Sequence, residues 1–282
     1  METTKQKVVM KIKSELCKDY KHIYMLNGLS LFQGKNDSLY KYMPYNRLID
    51  CVNNKEMVFV SPETWIDPFE RRFWQTDYSK RYQGFKRPEI ACMCLTTKSS
   101  TNEEAAWKMY ADNTDKALRI SIRKKQLFDN LEKYAVSNGC KVYIGSAIYD
   151  YERKEITGLH NKINEFFPKD DKFTVEHYLS LMCLKRKSFA FENEIRIFIV
   201  KDKLNWVGNL VKVPMQINKN LIPRIIIGPL KPFSNNDPRK SLYNIIQNTE
   251  KEVYKSNLIR AINGCDIQQS QLYTNKRPLK KL

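Results

Sequence analysis

The sequence predicts an α+β fold, with a mixed, mainly antiparallel β-sheet core and flanking helices. Segments of period-2 apolar alternation are interleaved with helical segments, without the regular succession that βαβ units require. Only nine glycines occur in 282 residues. None forms G-x-G-x-x-G or G-x-x-x-x-G-K-[ST], which removes the Rossmann fingerprint and the P-loop. The third observation is the segment F-A-F-E-N-E-I-R-I-F-I-V at 189–200. Read as one strand, it sets Glu192, Glu194 and Arg196 about 7 Å apart on one face. Phe189, Phe191, Ile195, Ile197 and Ile199 take the opposite, core-facing side.

The elements follow in order. Val8, Val9, Ile12, Leu16, Ile23 and Leu26 suit a helical N-terminal extension over residues 1–38. The breaker run L-F-Q-G-K-N-D-S separates it from a single domain expected over 39–282. Pro44 opens a helix to about Val52, and Met57–Val60 reads as a strand. The Pro-punctuated loop S-P-E-T-W-I-D-P-F-E leads to a strand at Ile90–Leu95. Thr101 and Glu104 form a capping box for a short helix bearing Trp107 and Tyr110. Ala117–Ile122 is a strand, about 124–136 a helix, and Cys140–Tyr149 another strand. Residues 150–187 read as mostly helical, broken at Pro168. After the 189–200 strand come a hairpin through 205–209 to 210–213, a short strand at Arg224–Ile227 and a last helix from Pro238 to about Lys255.

Composition narrows the function classes. The chain is 42% hydrophobic and 28% charged, ordinary for a globular protein and too apolar for general disorder. No run reaches the roughly 18 apolar residues of a membrane span, and the N-terminus lacks a secretory apolar core, so the expectation is a cytoplasmic protein without a membrane partner. The seven cysteines are scattered with no C-x-x-C, which suggests buried reduced thiols. His22, His160 and His177 lie far apart, and no metal site is expected from them. Forty-nine Lys and Arg against 31 Asp and Glu give +18. The excess thickens around residues 71–87, at 185–187 and in a basic C-terminal tail from Lys276. Such a field favours polyanionic partners: nucleic acids, nucleotides or acidic proteins. Solubility alone would produce the same balance. With no G-x-S-x-G and no kinase motif, the remaining chemistry belongs to carboxylates, Arg, Tyr and hydroxyls.

Seven peptides occur in a telling order: L-Y-K-Y at 39–42, F-V-S-P-E-T-W-I-D-P-F-E at 59–70, C-L-T-T at 94–97, W-K-M-Y-A-D at 107–112, V-Y at 142–143, K-S-F-A-F-E-N-E-I-R at 187–196 and I-I-I-G-P at 225–229. Together they resemble a widespread prokaryotic family designated a domain of unknown function. Its pattern is L-Y-K-Y-R, F-x-S-P-x-x-F-N-D-P-F-[DE], C-F-S, W-x-x-Y-A and K-x-x-x-W-x-[YF]-E-x-E-x-R. The resemblance covers roughly residues 39–230. Ile66, Thr96, Phe189 and Ala117 depart from the family's Asn, Ser, Trp and Gly.

The succession of Tyr40 and Tyr42, then Thr96 and Thr97, then Glu192 and Glu194 also looks like the ADP-ribosyltransferase plan. That likeness implies NAD as substrate, with Glu194 and Glu192 as catalytic carboxylates. One would steady the ribose and its oxocarbenium-like charge while the other orients the acceptor. Tyr40, Lys41, Tyr42, Thr96, Trp107 and Arg196 would contact the dinucleotide, with Asp67, Glu70 and Tyr110 as secondary candidates. Such an enzyme suits a toxin or antiphage effector. Two alternatives stand beside it. Asp67, Glu70, Glu192 and Glu194 could hold Mg²⁺ in a nuclease or phosphodiesterase, or the chain could be a non-catalytic nucleic-acid-binding module. Plainer roles exist for each residue. Glu192, Glu194 and Arg196 make an exposed strand face, Asp67 and Glu70 start a helix, and Trp107, Tyr110 and the tyrosines pack a core.

Overall fold

A computed structural model describes residues 14–26, 37–97, 106–107, 117–151, 172–229 and 240–270. The first strands are β1 (Ser14–Leu16), β2 (Ile23–Leu26) and β3 (Ser38–Pro44), followed by helix α1 (Tyr45–Asn54) and β4 (Glu56–Val60). Helix α2 (Pro68–Gln75), β5 (Glu89–Thr96), β6 (Ala117–Arg123), helix α3 (Lys124–Asn138), β7 (Lys141–Ser146) and β8 (Ile148–Tyr151) come next. Then follow helix α4 (Val175–Leu181), β9 (Leu184–Arg186), β10 (Glu194–Lys201), β11 (Leu210–Pro214), β12 (Arg224–Ile227), helix α5 (Lys240–Ala261) and β13 (Asp266–Gln269). The α+β expectation holds: the strands pair mostly antiparallel, with helices around them.

The chain divides into two units interleaved in sequence, where a single domain over 39–282 was expected. The first comprises Met1–Asp37, Met57–Thr97 and Leu127–Pro214. Its strands run β1-β2-β7-β10-β5, antiparallel except for β2 against β7. β4 adds to β5, and β11 pairs with β4 rather than forming the expected hairpin with β10. β8 and β9 form a separate parallel ribbon. Both faces of β10 are covered, since every residue from Glu194 to Val200 is buried. One face carries Ile195, Ile197 and Ile199. The other begins with Glu194 and Arg196 and continues with Phe198 and Val200 into an aromatic core of Tyr78, Tyr82, Phe85, Phe173 and Tyr178.

Three expectations for this unit are corrected. Residues 14–26 form β1 and β2, not a helix. Tyr20 Oη donates to Asp129 Oδ1 at 3.0 Å and the His22 amide to Glu132 Oε2 at 3.0 Å, which ties this segment to α3. Within 150–187, α4 is helical, yet 184–186 is strand β9; Pro168 lies outside the described residues. The expected 189–200 strand starts only at Glu194. Lys187–Glu192 is a 3₁₀ turn, and Asn193 follows at φ 44 in the left-handed region. Asn tolerates that backbone better than most residues, so it ends the turn and launches the strand.

The second unit comprises Ser38–Glu56, Lys98–Gln126 and Met215–Leu282. Its strands run β3-β6-β12-β13, with only the last pair parallel. Tyr42, Ala106, Trp107, Ala117 and Ile226 form a small core, and Tyr45 of α1 stacks on Tyr254 of α5 at 4.3 Å. The capping box at Thr101, the residue Tyr110 and the basic tail lie outside the described residues. No helix among the described residues is long and apolar enough to cross a membrane.

Candidate functional site

The motif residues of the first unit converge on one place. Asp67 caps α2, its Oδ1 accepting from the Phe69 amide at 2.9 Å, with Pro68 in the first turn. That start fixes Glu70 inward on the first turn of the helix, where it is buried. β9 contributes Lys185, the 3₁₀ turn contributes Glu192, and β10 contributes Glu194 and Arg196. Glu194 pairs across the sheet with Thr96 of β5, and Arg196 with Cys94. Thr96 Oγ1 donates to the Glu192 carbonyl at 2.6 Å, so this hydroxyl pins the turn.

The charges are closely interlocked. Lys185 Nζ lies 2.5 Å from Glu192 Oε2, 2.8 Å from Glu194 Oε2 and 3.6 Å from Glu70 Oε1. The Arg196 guanidinium donates through Nε to Glu194 Oε1 at 3.2 Å. Its NH2 reaches Glu194 Oε2 at 3.0 Å and Glu70 Oε2 at 2.5 Å, and NH1 donates to the Met182 carbonyl. The Trp65 ring covers the guanidinium at 4.4 Å. Outside, Arg186 bonds Asp67 Oδ2 at 3.1 Å and sits between the rings of Phe69 and Phe189, at 5.1 and 4.8 Å.

Burial pushes the Glu194 carboxyl up. The charges of Arg196 and Lys185, with hydrogen bonds from Arg196 and Cys94, more than reverse this and bring it down to about 2. Burial would lower the Lys185 ammonium, but Glu194, Glu70 and Glu192 raise it above its usual value. Glu194, Lys185 and Arg196 therefore stay charged at neutral pH in an interior from which solvent is nearly excluded. Glu194 is 4% exposed and Arg196 is 1% exposed.

This geometry changes the reading of the strand face. Glu192 is not on the strand at all, and Glu194 and Arg196 face the interior instead of solvent or an open wall. The Lys185 ammonium stands among Glu70, Glu192 and Glu194, where a divalent ion would have to stand to use those three carboxylates. Lys185 is the principal residue that the strand-face reading overlooked. The signal was available: in K-x-x-x-W the lysine lies four residues before the aromatic, which here is Phe189.

Tyr40, Lys41, Tyr42 and Trp107 belong to the second unit. The Trp107 ring meets Tyr42 edge-on at 4.8 Å, and the Arg119 guanidinium lies 4.0 Å over Tyr40. Tyr42 and Trp107 are buried, as core packing requires. All seven cysteines are free, and Cys92 is fully buried beside half-buried Cys94. No family model matches the chain, and no curated protein matches it in a sequence comparison. The family resemblance therefore rests on the motifs themselves.

Proposed function

We propose that the chain is a non-catalytic polyanion-binding protein, with nucleic acid as its partner and the carboxylate–cation cluster as a rigid internal scaffold. The observation that carries this reading is where the charge resides. Among the described residues, the buried charged groups are Arg119, Lys124, Lys185, Arg196 and Lys251 against Glu70, Glu192 and Glu194. The described interior thus holds five cations against three anions, and every other described Lys and Arg whose burial is given is at least partly exposed. A catalytic carboxylate must reach its substrate, whereas Glu194 is enclosed and doubly paired. Binding of labelled single-stranded and duplex oligonucleotides, titrated by fluorescence polarisation at several salt concentrations, tests the reading. The expected result is binding that weakens steeply with salt and is unaffected by Glu194→Gln in folded protein. Absence of binding at low salt overturns it.

A second reading, NAD-consuming glycosyl transfer, is favoured by one feature. Three carboxylates face two cations, so the cluster carries one excess negative charge, with Thr96 paired opposite Glu194. Such a site suits an oxocarbenium-like cation better than a phosphodiester. Nicotinamide release from NAD, compared with a Glu194→Gln control, is its direct test. No release above that control with RNA, DNA or protein acceptors eliminates it.

A further inference from the structure

Away from the charge cluster, the first unit has an open cavity of about 390 Å³. Trp74 near the end of α2, Arg87, Glu89 at the start of β5, Trp206 and the turn at 208–209 line it. We propose that this groove holds one nucleobase of a single-stranded polynucleotide, preferring a base with an exocyclic amine. The proposal rests on the nucleic-acid reading above and assigns that reading a specific contact site.

Three features carry it. The volume falls in the range of small-ligand pockets, about 300–1,000 Å³. The Arg87 guanidinium lies 4.8 Å over the Trp74 indole and is anchored by NH1 donating to the Trp74 carbonyl at 2.8 Å. Trp74 is stacked in turn on Tyr178 at 6.5 Å. Arg87 is exposed, so its guanidinium lies at the surface end of this cation–aromatic cluster, where a base can stack on it. Finally, Glu89 Oε2 accepts from Trp206 Nε1 at 2.8 Å and from the Leu204 amide at 2.6 Å. These bonds fix both the carboxylate and the second indole, and Oε1 has no donor among the described residues. A fixed carboxylate accepts from the exocyclic amine of adenine, cytosine or guanine, whereas uracil has no such amine and flanks its N3–H with two carbonyl oxygens that repel the carboxylate.

The lining also indicates what does not enter. Glu63 and Glu89 oppose Arg87, so a phosphate group is disfavoured inside the groove. Exposed Lys86 and Lys203, neighbours in sequence of Arg87 and Leu204, are suited to the phosphates outside.

The experiment compares labelled oligo(A) and oligo(U) on the full chain by fluorescence polarisation, using wild type, Arg87→Lys and Glu89→Gln. Arg87→Lys keeps the charge and removes the plane. Glu89→Gln keeps a carbonyl oxygen for Trp206 and Leu204 and turns the other oxygen into a donor. Wild type is expected to favour oligo(A), and Glu89→Gln to lower that preference about tenfold with the salt dependence unchanged. Arg87→Lys is expected to weaken both polymers. Equal binding of the two polymers, or wild-type binding by both variants, overturns the groove while leaving the polyanion reading intact. Failure of any oligonucleotide to bind overturns both.

Discussion

Arg196 uses its whole fork: Nε and NH2 serve Glu194 and Glu70, NH1 serves a carbonyl, and the plane lies against Trp65. A lysine offers one point charge and no plane. Arg196→Lys keeps the charge but leaves buried acceptors without donors, and is therefore expected to destabilise the protein by about 1–3 kcal/mol, measured by urea unfolding. Glu194 gives a pH prediction. Its carboxyl lies at about 2 in the folded protein against an ordinary 4.5. A depressed folded value means that the stabilisation is fully present above the unfolded value and is lost as pH falls through the folded one. Unfolding free energy should thus decline from about pH 4.5 toward about 2. Glu194→Gln should start lower and show a flatter profile over that interval. An unchanged profile would mean that the carboxylate is not held by its partners. The chemistry of this site was legible in E-N-E-I-R, but its orientation was not. Alternation identifies two faces of a strand without saying whether the second is also covered. Lys185 is marked in the sequence only by its K-x-x-x-W spacing, because its partners Glu70, Glu192 and Glu194 sit on other elements.

Elements with strong local chemistry were readable, and those defined by distant partners were not. Pro44 before Y-N-R-L-I-D gave α1, and R-I-I-I before Gly228 gave β12 with its observed ends. β13, D-I-Q-Q, has three of its four positions exposed and shows no alternation, and it exists through parallel pairing with β12. β9 is three residues long and exists through β8. Two substitutions test the elements that shape the site. Gly145 of β7 lies opposite Arg196, and an added Cβ would come within 2.8 Å of Cys183 Sγ and 3.3 Å of Leu26 Cδ1. Gly145→Ala is expected to cost about 1–3 kcal/mol by overpacking, seen as a lower urea midpoint with unchanged m-value. A neutral result would show that the strand shifts freely. Asn193 at φ 44 separates the 3₁₀ turn from β10. Asn193→Ala is expected to cost about 1 kcal/mol and Asn193→Gly much less, because glycine adopts that backbone without a Cβ penalty. If alanine and glycine behave alike by thermal unfolding, the left-handed junction is not what sets the strand's start.

For the whole molecule the decisive quantity is how binding responds to salt. A basic protein that grips a polyanion releases condensed counterions. The logarithm of its affinity for a single strand then falls linearly with the logarithm of salt, with a slope of about −0.7 per phosphate neutralised. The basic residues here are spread along the chain rather than collected in one motif. Removing one exposed lysine, such as Lys86→Ala or Lys203→Ala, should then make the slope shallower by less than one contact while affinity declines modestly at every salt concentration. Glu194→Gln acts on a group enclosed by Lys185 and Arg196, so it should lower the unfolding midpoint and leave the slope where it was. A catalytic carboxylate predicts the reverse pattern, with turnover abolished and stability little changed, because an active-site acid is strained rather than saturated by its partners. Measuring the slope and the unfolding midpoint on the same Glu194→Gln preparation separates the two. A midpoint drop with an intact slope assigns the E-N-E-I-R segment to the scaffold, and an intact midpoint with lost nicotinamide release assigns it to chemistry.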